Sequence, residues 1–138
     1  MELNWQLILD HLFHLGLAFL LAMPVAFNRE REERGAGVRT FPLVSIAACA
    51  YMLVGMDVFE GSEPEARIMY GIITGIGFIG GGAILKNDNQ VMGTATAASI
   101  WNTGAIGVSV AYNRYEIAIL LSVLNLIILQ YAKPLKQR

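Results

Sequence analysis

Charge is what this sequence has least of. Only 15% of its residues are Asp, Glu, Lys or Arg, against about a quarter in an ordinary soluble domain. A soluble protein of 138 residues has much surface to cover with polar groups. Ten basic and eleven acidic residues fall short of that, and they are bunched, leaving long uncharged runs between them. The net charge of −1 provides no basic field to attract nucleic acid, so nucleic acid is not an expected partner. One cysteine, Cys49, excludes an intrachain disulfide framework and a thiolate metal cluster. Set in "LVSIAACAYMLVG", it reads as a small buried apolar residue. No basic segment precedes the first apolar run, so no cleaved signal peptide is expected. The two histidines, His11 and His14, have no partner set for acid–base or nucleophilic chemistry. Neither an enzyme nor a cofactor is expected.

Apolar sequence is what the chain has instead: 55% of it is hydrophobic and the mean hydropathy is +0.51. A membrane-crossing helix needs roughly 20 mostly apolar residues. Five runs qualify, at about 7–27, 41–59, 68–85, 92–112 and 115–132. The expected fold is all-α, one transmembrane domain over residues 1–138 forming a five-helix bundle. Short connections make consecutive helices antiparallel neighbours, and no soluble domain is expected after the last run.

The cations orient this bundle. Arg29, Arg31, Arg34 and Arg39 follow run one, Lys86 follows run three, and Lys133, Lys136 and Arg138 follow run five. That puts eight of the ten cations on one side, with Arg67 and Arg114 on the other beside the acidic "DVFEGSEPEAR". The positive-inside rule then places the N-terminus outside and the C-terminus in the cytoplasm. Trp5, Tyr112, Tyr115 and Tyr131 are candidate interfacial anchors, and Tyr51 lies deep for that role.

Run three contains Gly75-Ile-Gly77-Phe-Ile-Gly80, formally G-x-G-x-x-G. A dinucleotide loop needs a full crossover helix after the glycines and an acid about 20 residues on. Here "KNDNQ" cuts the following element short and no acid stands in place. The membrane reading fits better. Gly71 and Gly75 are four apart, as are Gly77 and Gly81, and small residues at that spacing let helix backbones approach closely. Run four carries a matching ladder, Ala95, Ser99, Thr103, Gly107 and Ala111, with Thr94, Ala98, Asn102, Ala105 and Ser109 beside it. Runs three and four are therefore expected to form a tight central hairpin, with runs one and five more exposed to lipid.

Polar groups at membrane depth are expensive and carry a functional prior. Asp10 and His14 lie four apart, on one face of run one. Two readings stand: a hydrated helix end, or a pair that senses protons or cations. Asn125 reads as a helix–helix hydrogen bond. Asn102, in "TATAASIWNTG" beside Trp101, offers oxygen and amide groups that suit water or a hard cation, but no carboxylate accompanies it, and a metal ligand set is not defined. In "NREREERGAGVRT" the pairs Arg29–Glu33 and Glu30–Arg34 fit a solvated helix end. A second reading gathers an arginine–carboxylate cluster with Lys86 and Asp88. Gly35 and Gly37 permit a turn, and Arg39-Thr40 would cap run two.

Three blocks, "RERE…GVRTFPLV", "GIITGIGFIGGGAILK" and "VMGTATAASIWNTGAIGVSVAYNRYEIAI", resemble the MgtC/SapB family of bacterial inner-membrane proteins. They cover most of the chain from Arg29 to Ile119. The resemblance implies a polytopic membrane domain linked to growth under low magnesium and, for some members, modulation of the F-type ATP synthase. It carries over Arg29, Glu30, Arg39, Thr40, Gly75, Gly77, Gly80, Gly82, Thr94, Ala97, Ser99, Trp101 and Gly107. Two departures stand out. Members usually have an acid where this chain has Asn28, and many carry a soluble C-terminal domain.

The function expected is that of a non-enzymatic membrane protein acting by helix–helix contact. Its partners would be the lipid bilayer, a second copy in a homo-oligomer, and a partner membrane protein. The alternative is a small oligomeric channel or transporter for a cation or small solute.

Overall fold

The computed structural model describes residues 4–32, 35–87 and 90–132. Five helices account for most of them: α1 (Trp5–Arg31), α2 (Thr40–Val58), α3 (Ser62–Gly81), α4 (Thr94–Ala111) and α5 (Tyr115–Tyr131). Among the described residues the regular structure is thus all-helical but for one ribbon. Strands β1 (Leu85–Asn87) and β2 (Gln90–Met92) pair antiparallel between α3 and α4, with Leu85 opposite Met92.

Local chemistry sets the helix ends. The Asn4 side chain caps α1 by accepting from the Leu7 amide at 3.3 Å, which satisfies one of the orphan donors of the first turn. α3 starts earlier than its apolar run, at Ser62. Glu63 and Glu65 in that first turn face the positive end of the helix dipole, and Pro64 there removes an N–H that had no partner to lose. Hydropathy alone missed this turn because it is charged. Gly93 opens α4 with φ +85°. A Cβ there would meet the Ala83 carbonyl, so glycine both turns the chain and lets the ribbon close on α3. The capping role expected of Arg39-Thr40 does not appear: Arg39 makes no side-chain cap bond. The Gly37 carbonyl takes the Phe41 amide instead, at 3.2 Å.

α4 stands at the centre and touches all four other helices. Its small residues explain the position. A Cβ on Gly107 would meet the Ser45 carbonyl and lie 3.0 Å from the Cys49 amide nitrogen, so the backbones of α2 and α4 are nearly in contact. The closest backbone approach of α4 is thus to α2, at Gly107, while α3 packs on α4 as the sequence leads one to expect. α3 reaches α4 at fewer points: Ile76 fills the notch at Gly104, and Gly80 lies against the Ala97 carbonyl. Phe41, Met52, Ile100 and Ile106 fill the core between them.

Interhelical hydrogen bonds fasten the bundle. Ser45 Oγ donates to the Ala18 carbonyl at 2.9 Å and Ser122 Oγ to the Leu21 carbonyl at 2.6 Å, tying α2 and α5 to α1. Ser99 Oγ stands 3.1 Å from the Asn125 side-chain amide, joining α4 to α5. The Tyr112 hydroxyl donates to Glu65 Oε2 at 2.7 Å, holding the start of α3 to the end of α4. α1 and α2 are long and apolar enough to cross a membrane, and α5 is a shorter apolar helix.

Candidate functional site

The G-x-G-x-x-G segment lies wholly inside α3, where its amides are engaged in the helix ladder. Its glycines divide sharply by what surrounds them. Gly80 is buried against α4, and Gly82 closes the helix with its N–H on the Phe78 carbonyl at 3.1 Å. Among the described residues, and beyond their own helix turn, Gly71, Gly75, Gly77 and Gly81 have no atom within 4 Å of where a Cβ would stand. Each lacks a side chain for which the chain itself leaves room. Gly71 and Gly75 line a groove of about 390 Å³ between α2 and α3. Its floor adds Ala47 and Ala48, and its walls are Tyr51, Ile68 and Ile79. Gly77 and Gly81 face outward beside Phe78, whose ring is 85% exposed.

A second groove of about 350 Å³ runs between α3, α4 and α5. Asn102 and Trp101 are on it, with Ile73, Ala105 and Leu121. The polar stripe of α4 is largely occupied by its own backbone. Ser99, Thr103 and Ser109 each donate to the carbonyl one turn back, at 2.7, 2.7 and 2.8 Å. Asn102 Nδ2 reaches the Leu121 carbonyl at 3.4 Å. Thr94 and Ala95 are exposed at the first turn of α4. Among the described residues, Asn125 Nδ2 is the one buried side-chain polar atom without a partner.

Around the end of α1 the arginine motif is built inward. Arg29 is 4% exposed. Asn28 Oδ1 accepts from both its Nε (3.2 Å) and a terminal nitrogen (2.9 Å), and Glu32 is 3.5 Å away. Where the resemblance implies an acid, an amide oxygen serves as acceptor here. Glu30 turns the other way, and its Oε2 accepts from the Val38 amide at 3.0 Å. Gly37 fits against that carboxylate, which a Cβ there would displace. "RE" and "GAGVR" are thus two halves of one turn, with Arg39 exposed and Thr40 starting α2. The expected partners Glu33, Arg34 and Asp88 lie outside the described residues, as do Lys133, Lys136 and Arg138. Glu30→Ala should free the Val38 amide at a loss of about 1 kcal/mol, seen as roughly five-fold faster hydrogen exchange at Val38.

At the opposite end of the bundle the sequence joined Asp10 to His14 and missed two further members. His14 is buried, and its Nδ1 meets the Asp10 carbonyl at 2.8 Å and the Asp10 carboxylate at 3.5 Å. Its Nε2 reaches across the bundle to Asn113 Oδ1 at 2.8 Å, and the Tyr115 hydroxyl donates to the same oxygen at 2.6 Å. The signal was present in "AYNRY". Asn tolerates left-handed backbone, and Asn113 has φ +57° in the α4–α5 turn. Among the described residues no three His, Cys, Asp or Glu side chains gather to hold a metal.

Fold and surface together define an all-helical bundle with apolar residues exposed around its outside: Leu9 and Leu20 on α1, Val54 on α2, Phe78 on α3, Leu120 on α5. The model of the MgtC family matches residues 15–138, and the chain belongs to that family. It is 34% identical over 129 residues to the "Putative magnesium transporter YhiD" of Escherichia coli K12, covering 88% of this chain and 60% of that protein. "Protein SapB" of Bacillus subtilis is 31% identical over 124 residues, covering 84% of this chain and 53% of that protein. "Protein MgtC" of Brucella abortus is 39% identical over 94 residues, covering 68% of this chain and 39% of that protein. The chain therefore spans 60% or less of the length of these three relatives. No solved structure matches it.

Proposed function

We propose that this chain is a non-enzymatic inner-membrane protein that acts by helix–helix contact with a second copy or a partner membrane protein. Adaptation to low magnesium, or modulation of a membrane complex such as the F-type ATP synthase, is the setting. The observation that carries the reading is the open glycine face of α3. Glycine lowers helix stability by about 1 kcal/mol relative to alanine. Gly80, Gly104 and Gly107 are needed where helices touch, whereas Gly71, Gly75, Gly77 and Gly81 meet no other element at their Cβ positions among the described residues. In lipid, association rests on close backbone approach rather than hydrophobic drive, and such a surface is suited to it.

The bundle would cross the bilayer five times, N-terminus outside and C-terminus cytoplasmic. The apolar exteriors of the helices support this, as does the collection of Arg29, Arg31, Arg39 and Lys86 at one end. Reporter fusions test it. A fluorescent reporter should light at residue 36 and at the C-terminus, and an exported phosphatase should be active at residue 60. Residue 36 and the C-terminus in opposite compartments would refute the topology.

A second reading, an oligomeric channel or transporter for a cation or small solute, draws on the groove holding Asn102 and Trp101. The name of the Escherichia coli relative points the same way. Against it, the Ser99, Thr103 and Ser109 hydroxyls are already bonded to their own helix. Magnesium flux into proteoliposomes that Asn102→Leu abolishes would decide for this reading.

A further inference from the structure

We propose that His14 and Asn113 form a proton-binding site at the α4–α5 turn, in which proton uptake is matched by a half-turn of the Asn113 amide. The site goes beyond the contact function proposed above and does not depend on membrane orientation.

The geometry of the imidazole carries it. His14 is 5% exposed, and each of its ring nitrogens has a protein oxygen within hydrogen-bond reach. Nδ1 meets the Asp10 backbone carbonyl at 2.8 Å. A carbonyl only accepts, so Nδ1 keeps its proton in every state. Nε2 faces Asn113 Oδ1, also at 2.8 Å. That oxygen only accepts as well, so this amide orientation requires a proton on Nε2 too. The ring is then an imidazolium, with the Asp10 carboxylate 3.5 Å away as counter-charge. The Tyr115 hydroxyl donates to the same Oδ1 at 2.6 Å and favours this orientation.

Loss of the Nε2 proton reverses the requirement. The bare lone pair needs a donor, and turning the amide by half a turn supplies the Asn113 NH₂ group. Tyr115 then loses its acceptor, and its oxygen already stands 3.3 Å from Nε2. Two protonation states thus select two orientations of one side chain. An amide, having a donor and an acceptor on one planar group, serves both. The backbone of the turn holds Asn113 in place, with its amide on the Val110 carbonyl at 3.0 Å and the Arg114 amide on the Ser109 carbonyl at 2.8 Å.

Charged and titratable groups approach His14 from each neighbouring element. α1 brings Asp10 and, beside it, His11. α5 brings Tyr115, with Glu116 exposed next to it. α2 brings the buried Cys49, an uncharged thiol near neutral pH. Tyr112 at the end of α4 is engaged by Glu65 of α3, and Arg114 in the turn is exposed. Phe13 packs edge-on against both rings, of His14 and of Tyr115.

The test is nitrogen NMR of the full chain in lipid nanodiscs, with ¹⁵N-labelled histidine and His11→Gln so that one ring remains. Both His14 ring nitrogens should be protonated at the acid end of a titration between about pH 5 and 8, and only Nδ1 at the alkaline end. Asn113→Asp supplies a fixed carboxylate and should raise the midpoint by about one pH unit or more. Asn113→Gly, which accepts the positive φ without strain, should lower it, as should Tyr115→Phe. The Asn113 side-chain amide signals should move with the same midpoint as the ring. A midpoint common to all these chains, shifts of opposite sign, or one neutral tautomer throughout would overturn the proposal. If Asn113→Asp does not fold, the glycine and phenylalanine variants still decide it.

Discussion

Gly107→Ala will weaken the bundle by about 2 kcal/mol or more, although alanine is the better helix former. Two effects oppose each other. Alanine contributes about 1 kcal/mol of helix propensity over glycine. Overfilling a packed site costs about 1–3 kcal/mol, occasionally more, because side chains and backbone must shift. At Gly107 the obstacles are backbone: the Ser45 carbonyl and, at 3.0 Å, the Cys49 amide nitrogen. They have no rotamer by which to move aside, so the cost lies at or above the top of that range and exceeds the propensity gain. α2 must slide off α4, which strains the Ser45–Ala18 bond holding α2 to α1. Unfolding in a denaturing-detergent titration should show the loss. Gly81→Ala is the control: among the described residues nothing beyond its own helix turn lies within 4 Å of its Cβ position, so its stability should hold or rise. Equal losses in the two variants would remove backbone contact as the cause.

Leucine at Gly77 or Gly81 should do the reverse, leaving the bundle folded and abolishing its assembly. Among the described residues, no atom beyond the helix's own turn stands within 4 Å of either Cβ position, so the change acts as a surface substitution, within about 0.5 kcal/mol. A branched side chain on that face holds a second helix off by several ångströms and forfeits the backbone approach on which association in lipid rests. The expected result is wild-type insertion and unfolding, with loss of the oligomer and of partner capture. Native mass determination from membranes and photobleaching counts in lipid both read it. An unchanged assembly size in the two media would refute the contact model.

Much of the helical architecture could be read from hydropathy, because uninterrupted apolar runs leave little choice but helix. The first turn of α3 escaped because Glu63, Pro64 and Glu65 favour a helix start by charge and missing donor rather than by apolar content. The ribbon escaped because three-residue strands carry too little periodicity. The glycines were visible as a stripe, but a stripe does not say which neighbour it meets. Gly80 and Gly107 turned out to face helices, while Gly71, Gly75, Gly77 and Gly81 face open space. Asp10 and His14 were legible together because four residues is one helical turn. Asn113 was not, since 99 residues separate it from His14 and only the folded bundle brings them together. Asn102 drew notice for its depth, yet its amide simply leans on the neighbouring helix.

The two hollows flanking α3 share a party wall, since Ile72 and Ile76 line both. Room gained on one flank by moving that wall is room taken from the other. A bulky guest wedged beside α2 would therefore crowd any guest beside α5, and the two berths compete for a single helix.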